Sequence, residues 1–318
     1  MSRPRFRSPM LATLVDEVVT GDGWVFERKL DGIRLVVVRD GERVRLLTRN
    51  QLDRTARYPE LEEALAAQPC DRFVADAEVV AFDGATTSFS RLQQRSGLAG
   101  TEALDSGVAV RLYLFDLMHL DGEDLVDRPL RERKALLRDA LDFEDPLRFC
   151  AHRNADGAAY LDEACRKGWE GLIAKRADSR YRTGRGREWL KLKCVARQEV
   201  VIGGWTDPKG SRNGLGALLV GYHDDEGALR YAGRVGTGFD DTLLQELSDQ
   251  LGRRARSTSP FAAAPDGSDV HWATPDLVCE VGFTEWTRGG RLRHPRFLGL
   301  REDKDPADVV REVPRSAP

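Results

Sequence analysis

Short apolar runs separated by glycines and charged pairs dominate the first third of the chain, and they predict strands rather than helices. Trp24-Val25-Phe26-Glu27-Arg28-Lys29 and Arg34-Leu35-Val36-Val37-Val38-Arg39 are rich in aromatic and β-branched residues, which suit a pleated, half-buried surface. Asp40-Gly41-Glu42 separates the second run from Val44–Thr48, and Asp-Gly between apolar runs signals a hairpin. From Tyr58 to Ala67 the spacing becomes that of an amphipathic helix with Pro59 at its start. Phe73–Phe82 and Val108–Leu117 read as further strands, and Leu130–Leu141 as a helix. A helix over Asp156–Lys167 runs through the Gly168-Trp169-Glu170-Gly171 turn into a strand, Leu172–Lys175. Hairpins with interspersed helices predict an α+β core.

The pattern changes near Arg197. Three strands at short spacing (Glu199–Trp205, Ala217–Tyr222, Leu229–Val235), a helix (Asp240–Arg254) and two more strands (Leu277–Thr284, Arg291–Phe297) fit a five-stranded barrel of OB type. At 318 residues the chain exceeds a comfortable single core, so two domains are expected, 1–196 and 197–318. Ser257–Asp269 reads as a loop, and the tail beyond Asp305 as loosely held.

Composition adds little: 41% hydrophobic and 32% charged residues describe an ordinary globular protein. No apolar run approaches the roughly 20 residues of a membrane helix, and Met1–Arg7 lacks the apolar stretch of a signal peptide, which predicts a cytoplasmic, nucleoid-associated protein. Cys70, Cys150, Cys165, Cys194 and Cys279 are scattered, with no Cys-x-x-Cys pair, so buried free thiols are expected rather than a zinc site or a disulfide framework. The net charge of −3 excludes a uniformly basic coat. Its distribution matters more: Arg176, Arg180, Arg182, Arg185, Arg187, Lys191, Lys193 and Arg197 crowd together, and Arg288, Arg291, Arg293, Arg296 and Arg301 form a second cluster. Arginine-heavy runs interleaved with Gly and Trp suit phosphate contacts.

The candidate chemistry centres on Lys29-Leu30-Asp31-Gly32-Ile33-Arg34. Lys-x-Asp-Gly alone occurs by chance in roughly one chain in fifteen of this length; its weight comes from an ordered set downstream. Lysine is a poor nucleophile while protonated, so a reactive Lys29 needs burial or nearby cations such as Arg34, Lys191 and Lys193. Asp76 and Glu78 share one face of a strand, and Glu170 stands at a glycine-flanked turn into the strand ending at Lys175. Two carboxylates from separate strands can hold Mg²⁺ against a triphosphate. Phe115 offers a stacking surface for a purine or a core aromatic. Lys191 and Lys193 alternate along one strand and so face the same way, whether to grip one phosphate or as part of a half-buried edge.

In order and spacing these residues resemble the covalent nucleotidyltransferase superfamily of ATP-dependent DNA ligases, RNA ligases and mRNA capping enzymes. Glu27 with Lys29–Arg34 resembles motif I, Thr48-Arg49-Asn50 motif Ia, Leu114-Phe115-Asp116 motif III, Glu170–Lys175 motif IV, Leu190–Lys193 motif V and Arg301-Glu302-Asp303-Lys304 motif VI. Gln198–Trp205 and His294–Arg301 are most similar to the ligase module of bacterial non-homologous end-joining ligases. The resemblance implies an adenylyltransferase domain of ATP-grasp-like antiparallel sheets with helices, over 1–196, followed by an OB-fold barrel over 197–318. It implies that Lys29 takes AMP from ATP as a covalent adduct. Glu27 would read the adenine, with Leu30 lining the nucleotide site and Phe115 stacking on the ring. Arg34 and Arg49 would contact ribose and the DNA 5′-phosphate region, and Lys175 the nucleotide. Glu78 and Glu170 would hold Mg²⁺ or Mn²⁺, and Lys191 and Lys193 the α-phosphate. Arg301, Asp303 and Lys304 would orient pyrophosphate from a mobile second domain. The implied partners are nicked or broken duplex DNA, Ku, and separate end-processing polymerase or nuclease proteins, for a monomer that encircles DNA incompletely. Gln51 stands where motif Ia ordinarily continues with glycine. An RNA ligase or capping enzyme shares the lysine chemistry, and a non-catalytic DNA-end binding module shares the fold.

Overall fold

The computed structural model describes residues 3–95, 97–194, 196–208, 214–265, 267 and 269–312. It divides into two compact units, with the division after Cys194 against 196 from the sequence.

The first unit is built on two sheets. One is ordered Arg43–Leu47, Ile33–Asp40, Arg72–Asp83, Val110–Leu120, Glu123–Asp124, with Thr86–Thr87 and Leu147–Phe149 added at its flanks. The other is ordered Met10–Leu14, Gly184–Lys193, Gly171–Arg176, Trp24–Arg28, His152–Arg153. Alternation gives each sheet two different faces. Leu35, Val37, Leu46, Ala75 and Ala77 of the first pack with Leu61 and Leu65 of helix Pro59–Ala66 and Leu137 of helix Leu130–Ala140. Phe26, Leu172, Ala174, Leu190 and Leu192 of the second pack on Tyr160 and Ala164 of helix Gly157–Arg166. The remaining faces meet through Val36, Val38, Val74 and Phe115 on one side and Met10 and Trp189 on the other. The candidate site lies in that mixed layer.

Most pairing is antiparallel, as the hairpin signals predict, and the Gly41-Glu42 turn joins Asp40 to Arg43 with Gly41 at φ +64°. The Met10–Leu14 strand, which has no alternation to announce it, pairs in parallel with Gly184–Lys193. That strand, carrying Lys191 and Lys193, therefore has neighbours on both sides and is not an edge. Cys165 and Cys194 form a disulfide, against the expectation of free thiols; 29 residues separate them, and only the return of the chain along two paired strands brings them together. Cys70, Cys150 and Cys279 are free and buried.

In the second unit the strand order is Leu229–Val235, Leu218–His223, Arg197–Thr206, Val270–Gly282, with Arg296–Leu300 on the last and helix Asp241–Gly252 after the third strand in sequence. Val200, Ile202, Val220 and Val281 enclose a core with Leu244, Leu247 and Leu251 of that helix. Strand Val270–Gly282 begins well before Leu277 because Pro275, which interrupts the apolar run, is accommodated within it. The expected strand Arg291–Phe297 is instead two pieces, Leu292–Arg293 and Arg296–Leu300. They are broken where His294 takes φ +49° before Pro295. The tail is not loose as far as Glu312. Val309 is buried, its carbonyl accepts from the His223 N–H at 2.8 Å, and Glu312 N–H donates to Gln198 Oε1 at 3.0 Å. Among the described residues no helix is long and apolar enough to cross a membrane.

The turn after Thr48 shows what Gln51 does in place of glycine. Gln51 N–H donates to the Thr48 carbonyl at 2.9 Å with φ +61°, a left-handed conformation that costs an L-residue about 1–2 kcal/mol. Glycine loses about 0.5–1 kcal/mol of that advantage through its larger unfolded-state entropy. Gln51→Gly is therefore expected to stabilise the fold by about 0.5–1 kcal/mol, read as a higher urea midpoint at unchanged m-value.

Candidate active site

Register decides which side chains share the inner face of the five-stranded sheet. Glu27 lies opposite Ile173, and Ile173 opposite Lys191; Lys175 pairs with Trp189 and Gly171 with Lys193. Glu27, Lys175, Trp189, Lys191 and Lys193 thus stand on one face, with the apolar core on the other. Lys29 follows the end of its strand, and its N–H donates to the Gly171 carbonyl at 2.9 Å. Its Nζ lies 2.5 Å from Oε2 of the buried Glu170.

Two glycines make this approach possible. A Cβ on Gly171, at φ +148°, would sit 1.9 Å from the Leu192 carbonyl oxygen, and one on Gly32 would sit 2.1 Å from that of Val79. Gly32, of Lys-x-Asp-Gly, lets the loop after Lys29 press on strand Arg72–Asp83. Leu30 and Asp31 are buried beside it.

Glu27 is the electrostatic centre of the face. Lys134 donates to its Oε1 at 2.6 Å, and Lys175 Nζ lies 2.7 Å from Oε2; all three residues are buried. Burial alone pushes the Glu27 carboxyl up, but the two ammonium groups outweigh it and hold the pKa below the ordinary 4.5. Burial pulls Lys175 down, against the pull of Glu27. Lys134 also donates to the carbonyls of Cys150 and Phe115, at 3.1 and 3.3 Å. Lys175 Nζ stands 4.3 Å from the Phe115 ring centre and 4.1 Å from that of Trp189, and the two rings meet edge to face at 6.1 Å. The result is a buried cluster of two aromatic rings around one ammonium group.

Arg34 binds Asp76 through two hydrogen bonds of 2.8 and 2.5 Å, and Asp76 also accepts from Tyr181 Oη at 2.5 Å. Burial opposes the charge on Arg34, but Asp76 raises its pKa overall. Glu78 pairs across the sheet with Arg34. Arg49 lies in the turn closed by Gln51. Arg301, Asp303 and Lys304 belong to the second unit. There Arg301 bonds Asp303 twice at 2.9 Å and Glu280 at 3.2 Å, while Lys304 Nζ lies 2.8 Å from Glu199. Burial raises the Asp303 carboxyl, but Arg301 opposes and outweighs it, so that it ends below the usual range.

In the first unit contacts join Lys29 to Glu170, and separately Glu27 to Lys175, Lys175 to Phe115 and Phe115 to Arg34; register adds Lys191 and Lys193 to the face of Glu27, and Glu78 opposite Arg34. Lys134, Trp189 and Tyr181 are residues that motif reasoning passes over, and Asp76, there only the neighbour of Glu78 on its face, proves to be the partner of Arg34 and Tyr181. For Lys134 a signal exists. Leu130, Arg133, Lys134 and Leu137 fall on one helical stripe, and all four are buried. Arg133 reaches Asp116 with two bonds of 2.7 and 2.8 Å. Charges on an apolar stripe announce buried partners.

Residues 9–193 match the ATP-dependent DNA ligase domain and residues 211–304 the ATP-dependent DNA ligase C-terminal region. The chain belongs to the ATP-dependent DNA ligase family, which sets RNA ligases and capping enzymes aside. It is 42% identical over 322 residues to the multifunctional non-homologous end joining protein LigD of Pseudomonas aeruginosa, covering 99% of this chain and 38% of that protein. To LigD of Mycobacterium tuberculosis it is 41% identical over 315 residues, covering 96% and 40%. The chain thus spans about two fifths of the length of the curated relatives it matches. Among solved structures, a mycobacterial DNA ligase D complexed with ATP superposes with a TM-score of 0.68 at 38% identity, covering 96% of this chain and 98% of that one. The ligase domain of M. tuberculosis LigD superposes with a TM-score of 0.52 at 40% identity, with the same coverage. These matches give the architecture its name: a nucleotidyltransferase domain with a C-terminal OB fold.

Lys134→Met leaves the buried Glu27 carboxylate with one ammonium and is expected to destabilise the fold by about 3–5 kcal/mol. A carboxyl whose folded pKa is depressed contributes its full stability above the unfolded value of about 4.5 and loses it as the pH falls through the lower folded value. The gap between wild type and variant in urea denaturation should thus be full at neutral pH and narrow at pH values below 4.5.

Proposed function

We propose that this chain seals 5′-phosphate/3′-hydroxyl nicks in duplex DNA by way of an AMP group carried on Lys29. The observation that carries the reading is the placement of Lys29 Nζ at 2.5 Å from Glu170, next to an inner face that bears Glu27, Lys175, Trp189, Lys191 and Lys193. A nucleophilic amine, an aromatic ring for the purine and a row of cations are what transfer of a nucleotide to lysine requires.

In the first step the neutral Lys29 amine attacks the α-phosphorus of ATP, an N–P bond forms, and the bond to pyrophosphate breaks. The Glu170 carboxylate is the nearest group to accept the lysine proton. Phe115 stacks on the adenine, whose amino group lies against Glu27; Leu30 lines the nucleotide site, and Lys175 fixes the Glu27 carboxylate. Lys191 and Lys193 neutralise the α-phosphate, and Arg34 and Arg49 contact ribose and the DNA 5′-phosphate region. Arg301, Asp303 and Lys304 orient pyrophosphate in this step only. A 5′-phosphate oxygen then displaces Lys29 from the α-phosphorus, and finally the 3′-hydroxyl displaces AMP. Each step is an in-line displacement, so positioning and charge neutralisation supply most of the rate.

Among the described residues no three His, Cys, Asp or Glu side chains gather into a metal cage. That fits Mg²⁺ or Mn²⁺, which takes one or two carboxylates and completes its shell with phosphates and water. Glu78 and Glu170 are the carboxylates that would hold it, and its chemistry there is neutralisation of phosphate charge. The relatives' names support end joining as the setting; Ku and separate end-processing enzymes as partners, and a monomeric ligase, complete the proposal.

Incubation with α-³²P-ATP and a divalent ion should place acid-stable label on the wild type and none on Lys29→Ala; label on both would remove Lys29 as the acceptor. Arg301→Ala should lose self-labelling yet still seal nicks that already carry AMP. Equal loss in both assays would sink the division of labour between the two units.

A further inference from the structure

Arg28, the last residue of strand Trp24–Arg28 and the neighbour of Lys29, carries a charge for which the described residues provide no partner. Its Nε and one terminal nitrogen, Nη2, are buried without a hydrogen bond. The guanidinium carbon stands 4.5 Å from the centre of the Trp169 ring. Burial pulls its pKa down, and the groups that act against this are Tyr113, Tyr160 and Cys150, with no carboxylate among them. The other enclosed cations of this unit are treated differently: Arg34 has Asp76, Arg133 has Asp116, Arg95 has Glu60, and Lys134 and Lys175 share Glu27.

The surroundings add positive charge rather than removing it. Tyr113 lies within the fields of Arg28, Arg111 and Arg148. Arg153 covers the Tyr160 ring at 3.9 Å, and Lys167 Nζ lies 5.2 Å from the Trp169 ring. The carboxylates in the neighbourhood are already engaged: Asp145 by Arg111 and Arg148, Glu163 by Arg153 and Lys167. The position is also informative. Trp169 immediately precedes Glu170, Arg28 immediately precedes Lys29, and Tyr113 pairs across the sheet with Glu78. Arg28 and Trp169 are thus chain neighbours of the nucleophile and of Glu170, on the helix side of their sheet, and Tyr113 is the cross-strand neighbour of Glu78.

A half-buried guanidinium without an anion is costly unless an anion arrives. Its flat fork matches phosphate oxygens, and an aromatic face beneath it keeps the fork in plane. We infer that Arg28, supported by Trp169 and flanked by the Tyr113 and Tyr160 hydroxyls, forms an additional phosphate subsite for a substrate of the ligation reaction. The phosphate belongs either to the tail of ATP or to the DNA backbone. The inference rests on the ligase reading, so one arm of its test requires no turnover.

The test compares wild type, Arg28→Met and Arg28→Lys. Because the substitution to methionine removes an uncompensated charge while keeping an apolar stem on Trp169, its melting temperature without ligand should equal or exceed that of wild type. Inorganic pyrophosphate, or a nicked duplex with a 5′-phosphate, should raise the wild-type melting temperature and raise that of Arg28→Met less. This holds even if Lys29 never acquires label, so failure of the ligase reading stays distinguishable. In kinetics, Arg28→Met should raise one KM by roughly tenfold or more, the effect of losing a charge-assisted hydrogen bond, with partial recovery in Arg28→Lys. A defect confined to self-labelling assigns the ATP tail. One confined to sealing pre-adenylated nicks, with the salt slope of DNA binding smaller by about one, assigns a backbone phosphate. Unchanged KM values and equal ligand-induced shifts in wild type and Arg28→Met would overturn the inference. So would a lower melting temperature of Arg28→Met accompanied by equal loss in both assays, which would make Arg28 a structural residue on Trp169.

Discussion

The site depends on one buried carboxylate. Glu27 is held by Lys134 from a helix and by Lys175 from the neighbouring strand, and each partner needs the others. An isolated charge in that position would neutralise itself or unfold the layer, because burial penalises a charged group until opposite charge and hydrogen bonds offset it. Lys134 spends its remaining hydrogen-bonding capacity on the carbonyls of Phe115 and Cys150. The carboxylate is thereby connected to strand Val110–Leu120 of the other sheet at Phe115.

Close backbone approach sets the position of the nucleophile. Gly32 and Gly171 allow chain to touch chain where a single methyl group would collide with a carbonyl oxygen. Lys29 and Glu170 then meet at salt-bridge distance. The disulfide between Cys165 and Cys194 closes the same corner from behind: the Cys194 N–H donates to the Glu170 carbonyl at 2.9 Å, one residue beyond Lys193. The segment from helix Gly157–Arg166 through strands Gly171–Arg176 and Gly184–Lys193 therefore returns to its own start.

Charge pairing also runs through the enclosed polar residues of both units. Asp76 is consumed by Arg34 and Tyr181, and Asp116 by Arg133. In the second unit Arg301 is bound by Asp303 and Glu280. Arg28 departs from this economy of pairs, and that departure identifies it.

The sequence by itself determined the class of the fold, the order of the motifs and the identity of the glycine-flanked turns. These depend on local chemistry: β-branched runs make strands, Asp-Gly makes a hairpin, and lysines two apart on a strand share a face. It also contained the stripe that buries Arg133 and Lys134, although the stripe is readable only once charges on an apolar face are taken as paired. Tertiary structure alone decided which carboxylate each cation meets. It decided that Met10–Leu14 joins Gly184–Lys193, that Cys165 meets Cys194, that Gln51 tolerates a left-handed turn, and that the chain up to Glu312 is pinned. All but the Gln51 turn rest on contacts between residues far apart in sequence. Periodicity reports the direction a side chain faces, whereas the partner it finds is set by register between elements and by the depth at which charges must neutralise one another.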